Sequence, residues 1–185
     1  MLEIKNGDLV FVGIDDTDVP GSKGTGLVAR RAAEELIRRK YGILGVTRHQ
    51  LLQDPRIPCT RRNSAKVVHV LLSQGRKLAT ALEEIYEISA QTVTKMSEVG
   101  SDPGIAVAVD PGRTLVEFGL RAQREILNKQ EALALLGRDG LMMVTELGGT
   151  GLGIVGAVAG IGLAASGDEG WFIELRPGTL RKLTQ

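Results

Sequence analysis

The chain has 185 residues, 43% hydrophobic and 24% charged, a balance that excludes a disordered chain and suits one well-buried domain or two small ones sharing a core. Lys and Arg total 23 against 22 Asp and Glu, so the formal net charge of +1 exerts no global pull on nucleic acid, and any such contact must come from a local patch. The single cysteine, Cys59, excludes an internal disulfide and a cysteine-built zinc site.

Met1 to Asn6 has neither the basic start nor the apolar stretch of a signal peptide. The longest apolar run, Ile154 to Ala165, is interrupted by Gly156, Gly160 and Gly162 and is about 12 residues long, below the roughly 20 that span a bilayer. The expectation is a cytoplasmic protein with no membrane contact, and Ile154 to Ala165 is read as a buried helix.

Leu9 to Ile14 has the Val, Ile and Phe content of a strand buried on both faces. Leu27, Val28, Ala32, Leu36 and Ile37 recur at helical spacing, so a helix is expected from Thr25 or Gly26 to an end at Tyr41-Gly42. Gly45 to Leu52 reads as a second strand. The stretch Gln53 to Ser64 is a loop, because Pro55 and Pro58 restrict their predecessors and remove backbone donors. Ala65 to Leu72 returns to strand composition, and Lys77 to Met96 carries the apolar stripe of a helix. Turns at Gly100 to Gly104 and Asp110 to Gly112 bracket a strand, Ile105 to Val109. Helices over Leu115 to Arg124 and Lys129 to Leu136 follow, then a strand over Leu141 to Glu146, the glycine-rich turn Leu147 to Gly153, and a last strand over Trp171 to Leu175. This alternation predicts an α/β or α+β layered fold. Two small interleaved lobes are expected, with residues 1–64 and 100–185 forming the core and 65–99 a strand-helix segment packed into it.

Three carboxylates, Asp15, Asp16 and Asp18, stand at the end of the first strand. Crowded carboxylates repel unless a cation lies between them, and hard cations such as Mg2+ take carboxylate and phosphate oxygens together. Aspartates also cap turns and helix starts, which is the plainer use of such residues. The turn after them, Gly21-Ser22-Lys23-Gly24-Thr25-Gly26, offers backbone N–H groups, a helix N-terminus and the Lys23 ammonium to an anion, without Walker spacing. Thr25 is a hydroxyl able to ligate metal, accept phosphate or cap the helix. Gly151-Leu152-Gly153-Ile154-Val155-Gly156 is a literal GxGxxG, but too little chain follows for a Rossmann unit; a second phosphate-facing turn or close helix packing is the preferred reading. Arg56, Arg61 and Arg62, with Arg48, Thr60 and Asn63, form a basic loop suited to a triphosphate or an RNA backbone. His49 and His69 read as core or surface histidines, and Cys59 has no base partner in the sequence.

Taken together, these motifs resemble one family, the archaeal 2-agmatinylcytidine synthetases that modify an isoleucine tRNA. Gly13 to Asp18 reproduces the family's Gly-Ile-Asp-Asp-Thr-Asp signature. Thr25 falls where the family has a phospho-accepting threonine in a Cys-Thr-Thr run, although its neighbours here are Gly24 and Gly26. Asp54 to Asn63 is similar to the family's Asn-Pro-x-Ile-Pro-x-x-Thr-Arg-Gly-Asn loop, one residue shorter. Asp102-Pro103-Gly104 matches its Asn-Pro-Gly, and Gly149 to Ala157 its Gly-Thr-Gly-x-Gly-x-Ile-Gly-Ala. The resemblance implies a kinase-like and a ferredoxin-like domain without the family's OB-fold and zinc ribbon, with ATP and Mg2+ as cofactors. Together with the residue chemistry above, the expectation is metal ligation by Asp15, Asp16 and Asp18, and phosphate contacts from Lys23, Gly24, Arg61, Arg62, Asn63, Gly149, Thr150, Gly151 and Gly153. Asp15, Asp16, Asp18 and Thr25 are the expected catalytic set. The acceptor, an RNA or a small molecule, stays open, as does the oligomeric state, a dimer included. A non-catalytic nucleotide sensor, an RNA-binding accessory protein and, more remotely, a dinucleotide oxidoreductase are the rivals.

Overall fold

The computed structural model describes residues 9–72, 76–138, 140–167 and 170–173. In chain order the elements are β1 (Leu9–Asp15), α1 (Thr25–Arg38), β2 (Gly42–Gln50), β3 (Ser64–Leu71), α2 (Leu78–Met96), β4 (Gly104–Val109), α3 (Arg113–Ala122), α4 (Lys129–Leu133), β5 (Leu141–Glu146), α5 (Gly153–Ala165) and β6 (Trp171–Ile173). The strands form one sheet in the order β5-β4-β1-β3-β2-β6, with every neighbouring pair antiparallel. Strands β1 to β4, with α1 and α2 as crossovers, make the split βαβ arrangement known as ferredoxin-like, and β5 and β6 extend it at the two edges.

Side-chain alternation gives this sheet a core on each face. Val10, Val12 and Ile14 of β1 point one way, with Val46, Val68 and Val70, and pack against Val28, Ala32 and Leu36 of α1 and Leu82 and Ile85 of α2. Phe11 of β1, with Ala65, Val67, Ala106 and Ala108, points the other way onto Leu115 and Phe118 of α3 and Ala157, Val158 and Ile161 of α5. The continuous apolar run of β1 is explained by this double burial, each such side chain contributing about 1.5–3 kcal/mol of transfer free energy.

Helix α5 is buried on almost every side, as a helix apolar all round must be. Its glycines let it approach its neighbours backbone to backbone. A Cβ on Gly13 of β1 would collide with the Ala157 carbonyl, and one on Gly162 with the Leu115 carbonyl of α3. Among the described residues no helix is long and apolar enough to cross a membrane.

Several boundaries differ from the sequence reading: β2 runs over Gly42–Gln50 and not Gly45 to Leu52, and α3 over Arg113–Ala122 and not Leu115 to Arg124. Helix α1 stops at Arg38 and not at the glycine: Lys40 itself takes the left-handed conformation (φ 65), and Gly42 opens β2. Helix α4 ends at Leu133, shorter than expected, although Asn128 and Glu131 form a full capping box at its start. The last strand is assigned over Trp171–Ile173, and residues 174 and 175 lie outside the described residues.

Candidate functional site

The loops at the carboxyl end of β1 meet the β2–β3 loop and the start of α5 around a cleft of about 930 Å³. Asp15, Asp16, Asp18, Gly24 and Thr25 line it from the first loop, Arg61, Arg62 and Asn63 from the second, and Thr150 and Gly153 from the glycine turn before α5. Lys23 stands beside it, in a pocket of about 140 Å³ shared with Thr60 and Arg61. Gly149 and Gly151 are not among the lining residues. An apolar wall of Leu51, Ile57, Pro58, Ile126, Leu127 and Val155 faces the same space.

Each carboxylate has a different setting. Asp15 ends β1 against Gly156 of α5, where a Cβ would displace its carboxyl. Burial first, opposed by the Lys66 ammonium and reinforced by Asp16 and Asp18, raises the Asp15 carboxyl to about 7. Asp16 sits in the left-handed region (φ 53), a conformation aspartate tolerates better than most side chains. Burial, then the charges of Asp102 and Asp18, raise its carboxyl to about 6. Asp18 is a hub: its Oδ1 accepts from the Thr25 hydroxyl at 2.8 Å and its Oδ2 from the Thr60 hydroxyl at 2.6 Å. The first loop and the basic loop are thereby tied together. Thr25 is buried, and its hydroxyl also accepts from the Thr17 amide at 3.3 Å. Gly24, the residue before α1, has φ 82, open to glycine, and no side chain caps the helix. Among the described residues no three His, Cys, Asp or Glu side chains are grouped so as to hold a metal ion by themselves.

The basic loop divides by role. Arg56 is spent on Asp54, with both contacts at 2.8 Å. Asn63 clasps the loop base: its amide donates to the Leu52 carbonyl at 3.0 Å, and its carbonyl accepts from Leu51, Gln50 and Gln53. Arg61 and Arg62 are exposed at the cleft and make no ion pair among the described residues.

In the glycine turn the backbone N–H groups already face an anion. Gly151 and Leu152 donate to the Asp102 carboxylate at 2.7 and 3.2 Å, and the Thr150 hydroxyl donates to it as well. Burial works against the Asp102 charge, but these donors outweigh it and hold the carboxyl below the ordinary value. The Asp102 amide in turn donates to the Asp16 carbonyl at 3.1 Å, so the turn, β4 and the first loop share one anchor. The GxGxxG spacing is filled by packing, Gly153 against Asp102 and Gly156 against Asp15.

Ser64 and Lys66 are residues the sequence reading passed over, and Asp102 entered it only as part of a turn motif, with no role at the site. Lys66 lines the cleft yet is nine-tenths buried, and its Nζ donates to the Ser64 carbonyl at 2.5 Å and the Ser64 hydroxyl at 3.1 Å. Burial lowers its pKa, partly offset by Asp15. A lysine inside the apolar strand Ala65-Lys66-Val67-Val68 was the available signal, because charged side chains are seldom buried without cause.

No family model matches the chain. An uncharacterised protein of Methanocaldococcus jannaschii is 27% identical over 159 residues, 84% of this chain and 50% of that protein. The isoleucine-tRNA 2-agmatinylcytidine synthetase TiaS of Pyrococcus horikoshii is 31% identical over 159 residues, 83% of this chain and 35% of that protein. Among solved structures, TiaS in complex with its isoleucine tRNA and ATP superposes with a TM-score of 0.65 at 26% identity, over 84% of this chain and 36% of that one. The chain thus spans between about a third and a half of these relatives. Over four fifths of its length it is a homologue of part of the isoleucine-tRNA 2-agmatinylcytidine synthetase, with the same fold in that part and a family-like sequence.

Proposed function

We propose that the cleft binds ATP with Mg2+ and supports phosphoryl transfer, or ATP-dependent activation, towards an RNA or small-molecule acceptor. The observation that carries this reading is the convergence on one cleft of three half-buried carboxylates, an apolar wall and two arginines that make no ion pair among the described residues. The wall suits a nucleobase and the charged groups a triphosphate. The raised carboxyls of Asp15 and Asp16 fit a cation, whose charge would relieve their burial and mutual repulsion. Mg2+ is commonly held by one or two carboxylates and completed by substrate phosphates, so Asp15 and Asp16 would hold it without a closed protein cage. When bound, the ion neutralises charge on the transferring phosphoryl group.

The chain's own residues position the rest. Asp18 fixes the Thr25 hydroxyl towards the cleft as the candidate phosphoryl acceptor, while Arg61 and Arg62 steady the triphosphate or an incoming backbone. Lys23 reaches phosphates from the flanking pocket. Thr150 and Gly153 shape the opposite side through Asp102. The relative named for an isoleucine tRNA and the ATP-containing structure support nucleotide and RNA as the ligand classes. A binding-only reading has one observation in its favour, the burial of Thr25 with its hydroxyl committed to Asp18.

Titration calorimetry with ATP at varied Mg2+ tests the proposal. Asp16→Asn should cut Mg2+-dependent ATP affinity at least tenfold, about 1.4 kcal/mol or more, with the thermal melt retained. Unchanged Mg2+-dependent binding would remove the acidic cluster from the site, and binding without product release from labelled ATP would favour the binding-only reading.

A further inference from the structure

Two cations at the buried side of the cleft share one hydroxyl. Arg48 of β2 and Lys66 of β3 are cross-strand partners, and both line the cleft with Ser64. The Ser64 hydroxyl accepts from Arg48 Nε at 3.0 Å and from Lys66 Nζ at 3.1 Å. Arg48 Nη2 reaches Gln50 Oε1 at 3.3 Å, and Lys66 also donates to the Ser64 carbonyl. Neither cation makes an ion pair with a carboxylate among the described residues.

Like charges fixed this close, one of them nine-tenths buried, cost free energy unless an anion joins them. Asp15 and Asp18 act on Lys66 through space without pairing with it. An ammonium has three N–H donors, and two are used on Ser64; the third has no acceptor among the described residues. An ammonium and a guanidinium offer a point charge and a planar fork, a combination suited to a phosphate group. The two cations lie at the same end of the sheet as Asp15, since Ile14, its chain neighbour, is the partner of Lys66 across β1 and β3.

We propose that Arg48, Ser64 and Lys66 form an anion subsite at the base of the cleft that takes the terminal phosphoryl group of the bound nucleotide. The proposal rests on the nucleotide reading above and adds the residues that would distinguish a triphosphate from a diphosphate. Asp15 and Asp16 would hold the metal, and Lys66, the β3 partner of Ile14 beside Asp15, would add its charge to the same group.

The test is calorimetric titration of the full chain with ATP, ADP and inorganic phosphate in Mg2+, for wild type and Lys66→Met. The methionine keeps the length and apolar stem of the side chain. Wild type should prefer ATP to ADP, and Lys66→Met should lose about tenfold or more in ATP affinity with ADP affinity unchanged, collapsing the preference. Ser64→Ala, which keeps both cations but removes their shared acceptor, should fall between the two. If wild type binds inorganic phosphate but not ATP, and the variant binds neither, the anion subsite stands and the nucleotide reading falls. Equal ATP-to-ADP ratios in wild type and folded Lys66→Met overturn the subsite, as does wild type binding none of the three ligands. Should Lys66→Met fail to fold, Arg48→Met at its half-buried position gives the same comparison with the same outcomes.

Discussion

Asp15 is held against the preference of its surroundings. Burial raises its carboxyl to about 7, so near neutral pH a good part of the population carries a charge that folding would rather neutralise. Asparagine has nearly the same shape and no charge. Asp15→Asn is therefore expected to stabilise the ligand-free protein at pH 8 by on the order of 2 kcal/mol, read as a higher urea midpoint, while abolishing the proposed Mg2+-dependent ATP binding. A variant less stable than wild type at that pH would mean the carboxylate is already compensated, with Lys66 the evident partner. Asp102 shows the opposite economy, since its charge is met by the N–H groups of Gly151 and Leu152 and the Thr150 hydroxyl.

At the scale of elements, α5 explains much of the glycine content. Gly13 of β1 faces the Ala157 carbonyl, which belongs to a rigid helix backbone, whereas Gly156 faces the end of the Asp15 side chain, which can rotate. The two substitutions should separate. Gly13→Ala has to push the helix off the sheet and should cost about 1–3 kcal/mol in a urea melt. Gly156→Ala should fold with little loss but turn the Asp15 carboxylate away and weaken the proposed Mg2+-dependent ATP binding roughly tenfold. Equal stability losses in the two variants would show that Asp15 cannot rotate. The elements themselves were legible because apolar runs and helical stripes are local signals: β1, β3, β4, β5 and α5 lie within a residue or two of their expected bounds. Helix ends were less so, since Lys40 accepts a backbone conformation normally left to glycine. The pairing of Arg48 with Lys66, and of Asp102 with a turn 48 residues or more away in the chain, depends on register and tertiary packing that no local pattern encodes. Lys66 consequently stands out in sequence only as a charge inside an apolar strand, with nothing to say which groups it meets, although Asp15, Asp16, Asp18, Thr25, Arg61 and Arg62, picked for their chemistry, do share the cleft.

At the scale of the whole molecule, two sites on the sheet respond to acid in opposite senses. Inside the sheet, His69 packs edge-on to its β1 partner Phe11 with ring centroids 5.2 Å apart. Its Nε2 shares the Thr47 hydroxyl with His49, at 2.7 and 2.8 Å. Burial, then the neighbouring His49, lowers His69 to about 4. Between about 4 and 6.5 the unfolded chain therefore binds a proton at this site that the folded protein refuses. The stability His69 contributes is complete above pH 6.5 and is lost as pH falls through 4. Asp15 has the reverse sign: its folded carboxyl is raised, so its favourable contribution is complete below pH 3.8 and is lost as pH rises through 7. The two slopes oppose each other over the same window, and wild-type stability alone would hide both. Urea unfolding of wild type, His69→Gln and Asp15→Asn at about pH 4.5 and about pH 7.5 separates them. Measured against wild type at each pH, His69→Gln should gain stability on going to the acid condition, by on the order of 2 kcal/mol, and Asp15→Asn should lose its advantage there. Parallel shifts of both variants with pH would place the acid sensitivity elsewhere in the molecule and remove His69 and Asp15 as its opposing sources.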